Sequence, residues 1–244
     1  ERGRRDLSSR LMRRRIGITG VGVVSPFGVG IDALWAGLVE GRSAIGPIRA
    51  FDASGFPCRL AGEVQGYSAR DLLPKHYRKA TKVMARDTEL AVGIAKLAVE
   101  DAGLVTRASL GEDGQGTTSY PGDRVGCQIG AGLIAAETEE LTSALATAVA
   151  DGTFSLKVWG ESGLSNLQPL WLLKYLPNML ACHVTIIHGA EGPSNTITCG
   201  EASGLLSLGE SARVIERGAA DVCFSGGAES KVNLMGLLRQ TFAG

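Results

Sequence analysis

The segment from Gly192 to Gly227 constrains the fold more than any other part of this chain. It predicts a strand over 195–199, a helix over 202–217 that ends at Gly218, and a second strand over 221–225 that runs into Gly226-Gly227. Strands that alternate with helices at this spacing are typical of parallel pairing with the helices packed on the sheet faces.

The same alternation extends over the rest of the chain. Residues 15–20 alternate into a Gly- and Pro-rich turn and predict a first strand, and residues 124–129 predict another strand that ends in Gly130-Ala131-Gly132. Helices are predicted after Asp32, built on Leu34, Trp35, Leu38 and Val39, and over 84–102, 134–150 and 178–188. Residues 44–72 and 107–123 are predicted loops, the second of them mobile. The sequence therefore predicts an α/β fold with a mixed, mostly parallel sheet and helices on both faces.

Composition excludes several classes of protein. The 244 residues are 44% hydrophobic, include 34 Gly and carry no net charge, which is typical of a packed α/β protein and gives no global signal for nucleic acid. No apolar run has membrane-spanning length. Residues 1–15 nevertheless hold seven Arg against Glu1 and Asp6. Because Met12 precedes three Arg and a predicted strand, residues 1–12 are interpreted as a basic N-terminal extension.

The cysteines and histidines give no sign of a metal site. The five Cys are odd in number and scattered, in apolar or small-residue contexts, at positions 58, 127, 182, 199 and 223. They are interpreted as reduced, buried thiols of a cytoplasmic protein. The three histidines, His76, His183 and His188, have no catalytic motif around them and are expected to have structural or surface roles.

The turn between the strand at 195–199 and the following helix is a candidate site. Gly200 precedes Glu201, and Ala202, Ser203 and Gly204 open the helix. A residue in this position lies at the positive end of the helix dipole, where an anion is stabilised. The carboxylate of Glu201 is therefore expected to stay ionised.

Several blocks of the sequence, in order and at matching spacings, resemble the first half of the β-ketoacyl-acyl-carrier-protein synthases of the FabF type, the ketosynthases. The resemblance begins at Arg13 and rests on these blocks: Arg15–Gly22 with Ser25-Pro26 and Gly28; Asn178-Met179, His183–Ile186 and Gly189; Gly192-Pro193-Ser194; Ala212–Ile215 with Gly218; Ala220–Val222; and Gly226–Glu229.

The resemblance implies a thiolase-like fold over residues 13–244, corresponding to the N-terminal half of a family about twice this length. In that family the nucleophilic Cys is the eighth residue after the Pro of Gly-Pro-Ser. Counting from Pro193, this position is Glu201, whereas Cys199 falls two residues early. The two catalytic histidines of the family lie in the second half, and His183 stands where the family has a packing histidine.

The substitution at position 201 leaves several interpretations open. Transfer of an acyl group from a thioester to a carboxylate makes a high-energy mixed anhydride, so Glu201 is not expected to replace Cys as the acyl carrier. The favoured interpretation is a catalytically silent accessory subunit of fatty-acid or polyketide assembly, of the chain-length-factor type. The alternatives are a 3-oxoacyl synthase or a malonyl decarboxylase whose second half is on another chain or missing, and Cys199 as a displaced nucleophile.

The resemblance also implies partners. In the family, basic residues leading into the helix at 84–102 receive the acidic acyl carrier protein, and here these are Lys75, Arg78, Lys79 and Lys82, followed by Arg86. A solvated helix face is the alternative interpretation of this cluster. Acyl groups would arrive on the phosphopantetheine of the carrier protein, with no other cofactor and no metal.

The nucleophile strand of the family pairs across a two-fold axis. The resemblance therefore implies an intact ketosynthase subunit or a second copy of this chain as partner. It implies neither a nucleic-acid partner nor a membrane.

One competing motif is a partial match only. Gly20-Val21-Gly22-Val23-Val24-Ser25 follows the first predicted strand in the manner of a dinucleotide-binding fingerprint. Ser occupies the sixth position, Pro26 follows directly, and Asp32 comes too early to bind a ribose. The segment is therefore a weak candidate for a nicotinamide site.

Overall fold

The computed structural model describes residues 15–111 and 114–243. The predicted extension over 1–12 lies outside the described residues. The helices are α1 Ile31–Val39, α2 Ala69–Leu72, α3 Arg86–Asp101, α4 Thr138–Thr147, α5 Leu156–Glu161, α6 Trp171–Lys174, α7 Met179–His188, α8 Ser203–Glu216 and α9 Leu234–Ala243. The strands are β1 Val24–Ser25, β2 Gly28–Val29, β3 Ile45–Pro47, β4 Leu60–Gly62, β5 Val125–Gly130, β6 Val149–Ala150, β7 Thr153–Phe154, β8 Ser194–Ile197 and β9 Val222–Gly227.

A parallel sheet of three strands organises the fold. Strand β5 lies in the centre and pairs in parallel with β8 on one side and β9 on the other, so that Cys127 is opposite both Ser194 and Phe224. The other strands form two-residue and three-residue antiparallel pairs. The prediction of a mixed, mostly parallel sheet is confirmed.

Helices cover both faces of this sheet. On one face Cys127 and Ile129 of β5 join the core with residues of α3 and α7, including Leu90, Val92, Leu180 and Val184. On the other face α8 packs through its buried residues Ser203, Ser207, Ser211 and Val214. The small serines bring this helix close to the strands: a Cβ on Gly130 would lie 2.5 Å from the carbonyl carbon of Ser203.

The predicted first strand over 15–20 is wrong. These residues have no strand partner, and the chain continues past them along α3. Gly20 and Gly22 face that helix so closely that a Cβ on either would overlap its backbone, and the Val21 amide donates to Asp101 at 2.8 Å. Alternation alone predicted a strand here, but a strand also needs a neighbour with free backbone groups.

The predicted helix over 134–150 is shorter than expected. It begins only at Thr138. Ile134 and Ala135 are buried in an irregular segment before it, where the carbonyl of Ala135 accepts from the Asn233 side chain at 3.1 Å. After Thr147 the chain enters the β6–β7 hairpin. Its turn residues, Asp151 and Gly152, both have positive φ, 50° and 74°, as a type I′ turn requires.

The described loops follow their predictions in part. Residues 44–72 contain the β3–β4 pair and the short helix α2 within an otherwise irregular segment. Residues 107–123, where described, are irregular apart from two short 3-10 turns. No helix in the described part of the chain is long and apolar enough to cross a membrane.

Candidate functional site

The turn between β8 and α8 lies at the carboxyl edge of the parallel sheet, where ligands bind in open α/β folds. Strand β8 ends at Ile197 and α8 begins at Ser203. Gly200 has φ of 57°, a left-handed conformation that favours glycine and turns the chain sharply before residue 201. We refer to residues 198–203 as the elbow.

The hydroxyl of Ser203 holds the elbow in place. It accepts a hydrogen bond from the Cys199 amide at 2.8 Å and donates one to the Gly200 carbonyl at 2.6 Å. The N-cap residue of α8, Ala202, has no side chain that could cap the helix. Glu201 therefore lies directly before this 14-residue helix, at the positive end of its dipole.

Glu201 projects from the elbow into solvent, with 93% of its side chain exposed. Its nearest cationic partner is Lys231, whose Nζ lies 3.8 Å from Oε1 of Glu201 and 3.3 Å from Oε2 of Glu229. At this distance and exposure the ion pair with Glu201 contributes little to stability. Its effect is to place a positive charge opposite the residue at the elbow.

The segment that carries Lys231 is fixed by a buried carboxyl group. The Ser230 amide donates to Oδ1 of Asp87 at 3.2 Å, which joins the loop after β9 to the first turn of α3. Asp87 is almost completely buried, and desolvation raises its pKa to about 6, with Glu229 adding to the rise. The sequence contained no local signal for this contact, because the two residues are 143 positions apart.

The basic residues before α3 lie on a 3-10 helix, Lys75–Val83. Lys75, Lys79 and Lys82 are exposed. Arg78 is half-buried, and its Nε donates to the Leu73 carbonyl at 3.1 Å. Three of the four predicted residues therefore present free cationic groups at the surface, and the guanidinium of Arg78 also holds the local backbone.

The comparisons with known proteins agree with this geometry. Residues 13–241 match the model of the β-ketoacyl synthase family, N-terminal domain. The chain belongs to the β-ketoacyl synthase family. The resemblance read from its motifs and the predicted thiolase-like fold are thereby confirmed.

Curated relatives of this ketosynthase-family chain are about twice its length. It is 30% identical over 222 residues to a 3-oxoacyl-[acyl-carrier-protein] synthase 2 of Synechocystis, a match that covers 91% of this chain and 47% of the relative. It is 29% identical to the enzyme of the same name from Staphylococcus aureus strain COL, over 92% of this chain and 48% of the relative. The chain thus spans about half the length of these proteins.

Solved structures give the same picture. The ishigamide ketosynthase/chain length factor superimposes with a TM-score of 0.69 at 26% identity, covering 95% of this chain and 51% of that one. A type II polyketide ketosynthase in complex with its acyl-carrier protein superimposes with a TM-score of 0.67 at 15% identity, over 94% and 55% of the two chains. The second likeness concerns the fold alone.

Two of the histidines of this ketosynthase-family domain belong to the core. The Nδ1 atom of His188 shares a hydrogen bond with the Thr106 hydroxyl at 2.8 Å, and the imidazole ring packs on Phe224. Burial lowers the pKa of His188 to about 4. His183 is buried on α7, and desolvation lowers its pKa. His76 packs against Tyr77.

The cysteine prediction is partly wrong. Cys127 is buried and Cys182 and Cys223 are half-buried, but Cys58 and Cys199 are exposed, and all five are free thiols. Cys199 is exposed because β8 ends two residues before it, so that it lies in the elbow and not on the predicted strand. Within residues 15–111 and 114–243 no group of His, Cys, Asp and Glu side chains is arranged to hold a metal ion.

Proposed function

We propose that this chain is a ketosynthase-like accessory subunit of fatty-acid or polyketide assembly, of the chain-length-factor type, which does not condense acyl groups on its own. The observation that carries the proposal is the exposed carboxylate of Glu201 at the elbow, opposite Lys231. A left-handed glycine sets the turn at the elbow and the N-terminus of α8 stabilises an anion there, while the residue that the elbow presents cannot hold an acyl group as a thioester.

The chemistry of acyl transfer supports this proposal. A ketosynthase moves an acyl group between two thiols, which is close to isoenergetic, whereas transfer to a carboxylate would produce a reactive anhydride. Decarboxylation of a malonyl group by this chain is disfavoured for a second reason. An ionised carboxylate at position 201 would repel the carboxylate of the malonyl group beside it.

The structural relative described as a ketosynthase/chain length factor shares the fold over almost all of this chain, which supports a role within the ketosynthase family. In the proposed accessory role the chain would pair with an intact ketosynthase that supplies the nucleophilic cysteine. Acyl groups would be delivered on the phosphopantetheine of an acyl carrier protein, with no cofactor held by this chain.

Native mass spectrometry of the chain co-expressed with its genomic neighbours tests the accessory role. We expect a complex with a ketosynthase that has Cys at the elbow. Malonyl-carrier-protein decarboxylation and condensation are then measured for the chain alone and for the complex. Activity in the complex that is unchanged by Glu201→Ala but abolished by removal of the partner's cysteine would support the proposal. Turnover by the chain alone, lost in Glu201→Ala or Cys199→Ser, would contradict it and establish an enzyme.

We further propose that the carrier protein docks on the exposed lysines of the 3-10 helix Lys75–Val83. The triple variant Lys75→Glu, Lys79→Glu and Lys82→Glu should weaken carrier-protein binding at least tenfold at low salt and flatten its salt dependence. Lys157→Glu, on α5 with 82% of its side chain exposed, is the matched control. Equal binding by the triple variant and the control would remove this helix from the docking site.

A further inference from the structure

The segment between β9 and α9 carries the cation that faces Glu201. It comprises residues 228–233, which form neither helix nor strand, and we refer to it as the β9–α9 segment. Asn233 fixes the end nearest α9, because its side-chain amide donates to the Ala135 carbonyl at 3.1 Å. The middle of the segment is held differently, through the backbone amide of Ser230.

The Ser230 amide donates to a carboxylate in the first turn of α3. The acceptor is Oδ1 of Asp87 at 3.2 Å, and Asp87 is only 3% exposed. The same carboxylate also accepts from its own backbone amide. A buried carboxylate costs free energy unless charges or hydrogen-bond donors compensate for its lost hydration, so both donors stabilise the ionised form. The hydrogen bond therefore links the middle of the β9–α9 segment to the charge state of Asp87.

Burial is the largest influence on the Asp87 carboxyl group and raises its pKa to about 6. Among the charged groups around it, Glu229 in the β9–α9 segment adds to the rise and Arg239 on α9 opposes it. On α3 itself, Arg86 is paired with Glu89 at 3.1 Å. Asp87 therefore changes its charge between about pH 7 and pH 5.

Protonation of Asp87 weakens its contact with Ser230. A hydrogen bond to an ionised carboxylate is roughly twice as strong as one between neutral groups. A protonated carboxyl group also brings an O–H that needs an acceptor of its own. Below its pKa, Asp87 therefore holds the Ser230 amide less tightly, whereas Asn233 does not titrate and keeps the other end of the segment in place.

Lys231, the residue after Ser230, carries this effect to the elbow. Its Nζ lies 3.8 Å from Oε1 of Glu201 and 3.3 Å from Oε2 of Glu229. Glu201 is exposed and Lys231 is partly exposed, so these ion pairs are too weak to hold the segment by themselves. The position of Lys231 therefore depends on the contact between Ser230 and Asp87.

We propose that Asp87 is a proton-dependent switch. Its ionised carboxylate keeps the β9–α9 segment on α3 with Lys231 beside Glu201, and its protonation releases the segment and removes Lys231 from the elbow. The positive charge opposite residue 201 is then present above about pH 7 and lost toward about pH 5. This inference goes beyond the proposed function and holds whether or not the chain condenses acyl groups.

NMR spectroscopy of the chain labelled with 15N-serine tests the first step. As the pH is lowered, the Ser230 amide resonance should shift with a midpoint near 6. The protection of this amide against hydrogen exchange, corrected for the intrinsic rate, should fall about tenfold. Asp87→Asn should remove both changes, whereas Asp71→Asn, at an exposed position on α2, should leave them as in the parent chain. A Ser230 resonance that does not titrate, or that still titrates in Asp87→Asn, would overturn the proposal.

The link to the elbow is tested on Lys231 itself, after reductive methylation of the lysines with 13C-formaldehyde. Its dimethylamine resonance, identified by its absence in Lys231→Arg, should shift with the same midpoint as the Ser230 amide. Lys157 is the control, because its Nζ also lies 3.8 Å from a glutamate, Glu161, and its resonance should stay constant. A constant Lys231 resonance beside a titrating Ser230 amide would contradict the link.

Glu229→Gln tests whether both positions follow one titration. Removing the negative charge beside Asp87 should lower the midpoints of the Ser230 amide and of the Lys231 resonance by the same amount. Midpoints that separate in this variant would show that Lys231 responds to another group, and the proposed switch would then be wrong.

Discussion

Glu201 stands, by its spacing from Pro193, where the family resemblance places a nucleophilic cysteine. The elbow that presents it has the left-handed Gly200, the Ser203 hydroxyl that ties the turn, and the amides of α8. Gly200 and the Ser203 hydroxyl fix the turn, and the N-terminus of α8 places the positive end of its dipole beside position 201.

Glu201→Cys is expected to produce a reactive thiol. The helix N-terminus and Lys231 both stabilise a thiolate, so its alkylation by iodoacetamide at neutral pH should be about tenfold faster than that of Cys58, an exposed thiol in a loop. The rates are measured in a chain that carries Cys199→Ser. Adding Lys231→Gln should slow the Glu201→Cys thiol severalfold. A rate equal to that of Cys58 would mean that the elbow provides no anion stabilisation.

Packing between elements depends on glycines at positions where backbones meet. Gly20 and Gly22 let residues 15–23 lie on α3, and Gly130 lets α8 lie on β5. In each case the neighbouring atoms belong to the backbone, which cannot move aside as a flexible side chain does. These glycines therefore determine how closely the layers approach.

Gly22→Ala should lower the free energy of unfolding by about 2 kcal/mol, because its methyl group would overlap the Ile94 carbonyl oxygen of α3. Gly17→Ala is the control, since no atom lies within 4 Å of a Cβ built there. Urea unfolding midpoints are compared. Equal midpoints for the two variants would show that the segment does not pack on α3.

Within α8, Gly209→Ala should raise the free energy of unfolding by up to about 1 kcal/mol, since a Cβ there meets no atom and alanine has the higher helix propensity. Gly130→Ala should instead be destabilising, because its Cβ would lie 2.5 Å from the Ser203 backbone. Thermal unfolding measures both changes. A loss of stability in Gly209→Ala would mean that the outer face of α8 is covered.

For the molecule as a whole, two buried groups give opposite pH dependences. The pKa of His188 is lowered to about 4. As the pH falls from 6.5 toward 4, the unfolded chain binds a proton at this histidine and the folded chain does not, so the free energy of unfolding decreases. The pKa of Asp87 is raised from 3.8 to about 6. As the pH falls through nearly the same range, the folded chain binds a proton at this carboxylate before the unfolded chain does, so the free energy of unfolding increases. Each pKa shift changes the free energy of unfolding by about 3 kcal/mol, and these two changes offset each other.

Asp87→Asn should expose the contribution of His188. The amide oxygen can still accept from the Ser230 amide, so the variant is expected to be more stable than the parent chain at pH 7. Between pH 6.5 and 4 it should lose about 3 kcal/mol more than the parent chain does, because the stabilising protonation of Asp87 is absent. Urea unfolding at several pH values gives both curves. Parallel curves would show that Asp87 does not titrate in this range. His188→Gln should instead lose about 3 kcal/mol less than the parent chain over the same pH range.

The sequence by itself determined the elements whose signals are local. Alternation, helical spacing and glycine stops predicted β5, β9, α3, α7 and α8 to within a few residues, and the run from Gly192 to Gly204 located the elbow with Glu201 in it. Hydrogen bonds within a helix and the conformation of a turn depend on neighbours along the chain, which is why these predictions were confirmed.

Only the tertiary structure decided what depends on residues far apart. Residues 15–20 alternate like a strand but have no strand beside them, and α1 has an apolar stripe that no described part of the chain covers. Asp87 and Ser230 meet across 143 positions to place Lys231 opposite Glu201. Strand pairing, burial and a shifted pKa are properties of surroundings that the chain creates only when distant segments come together, so no local pattern encodes them.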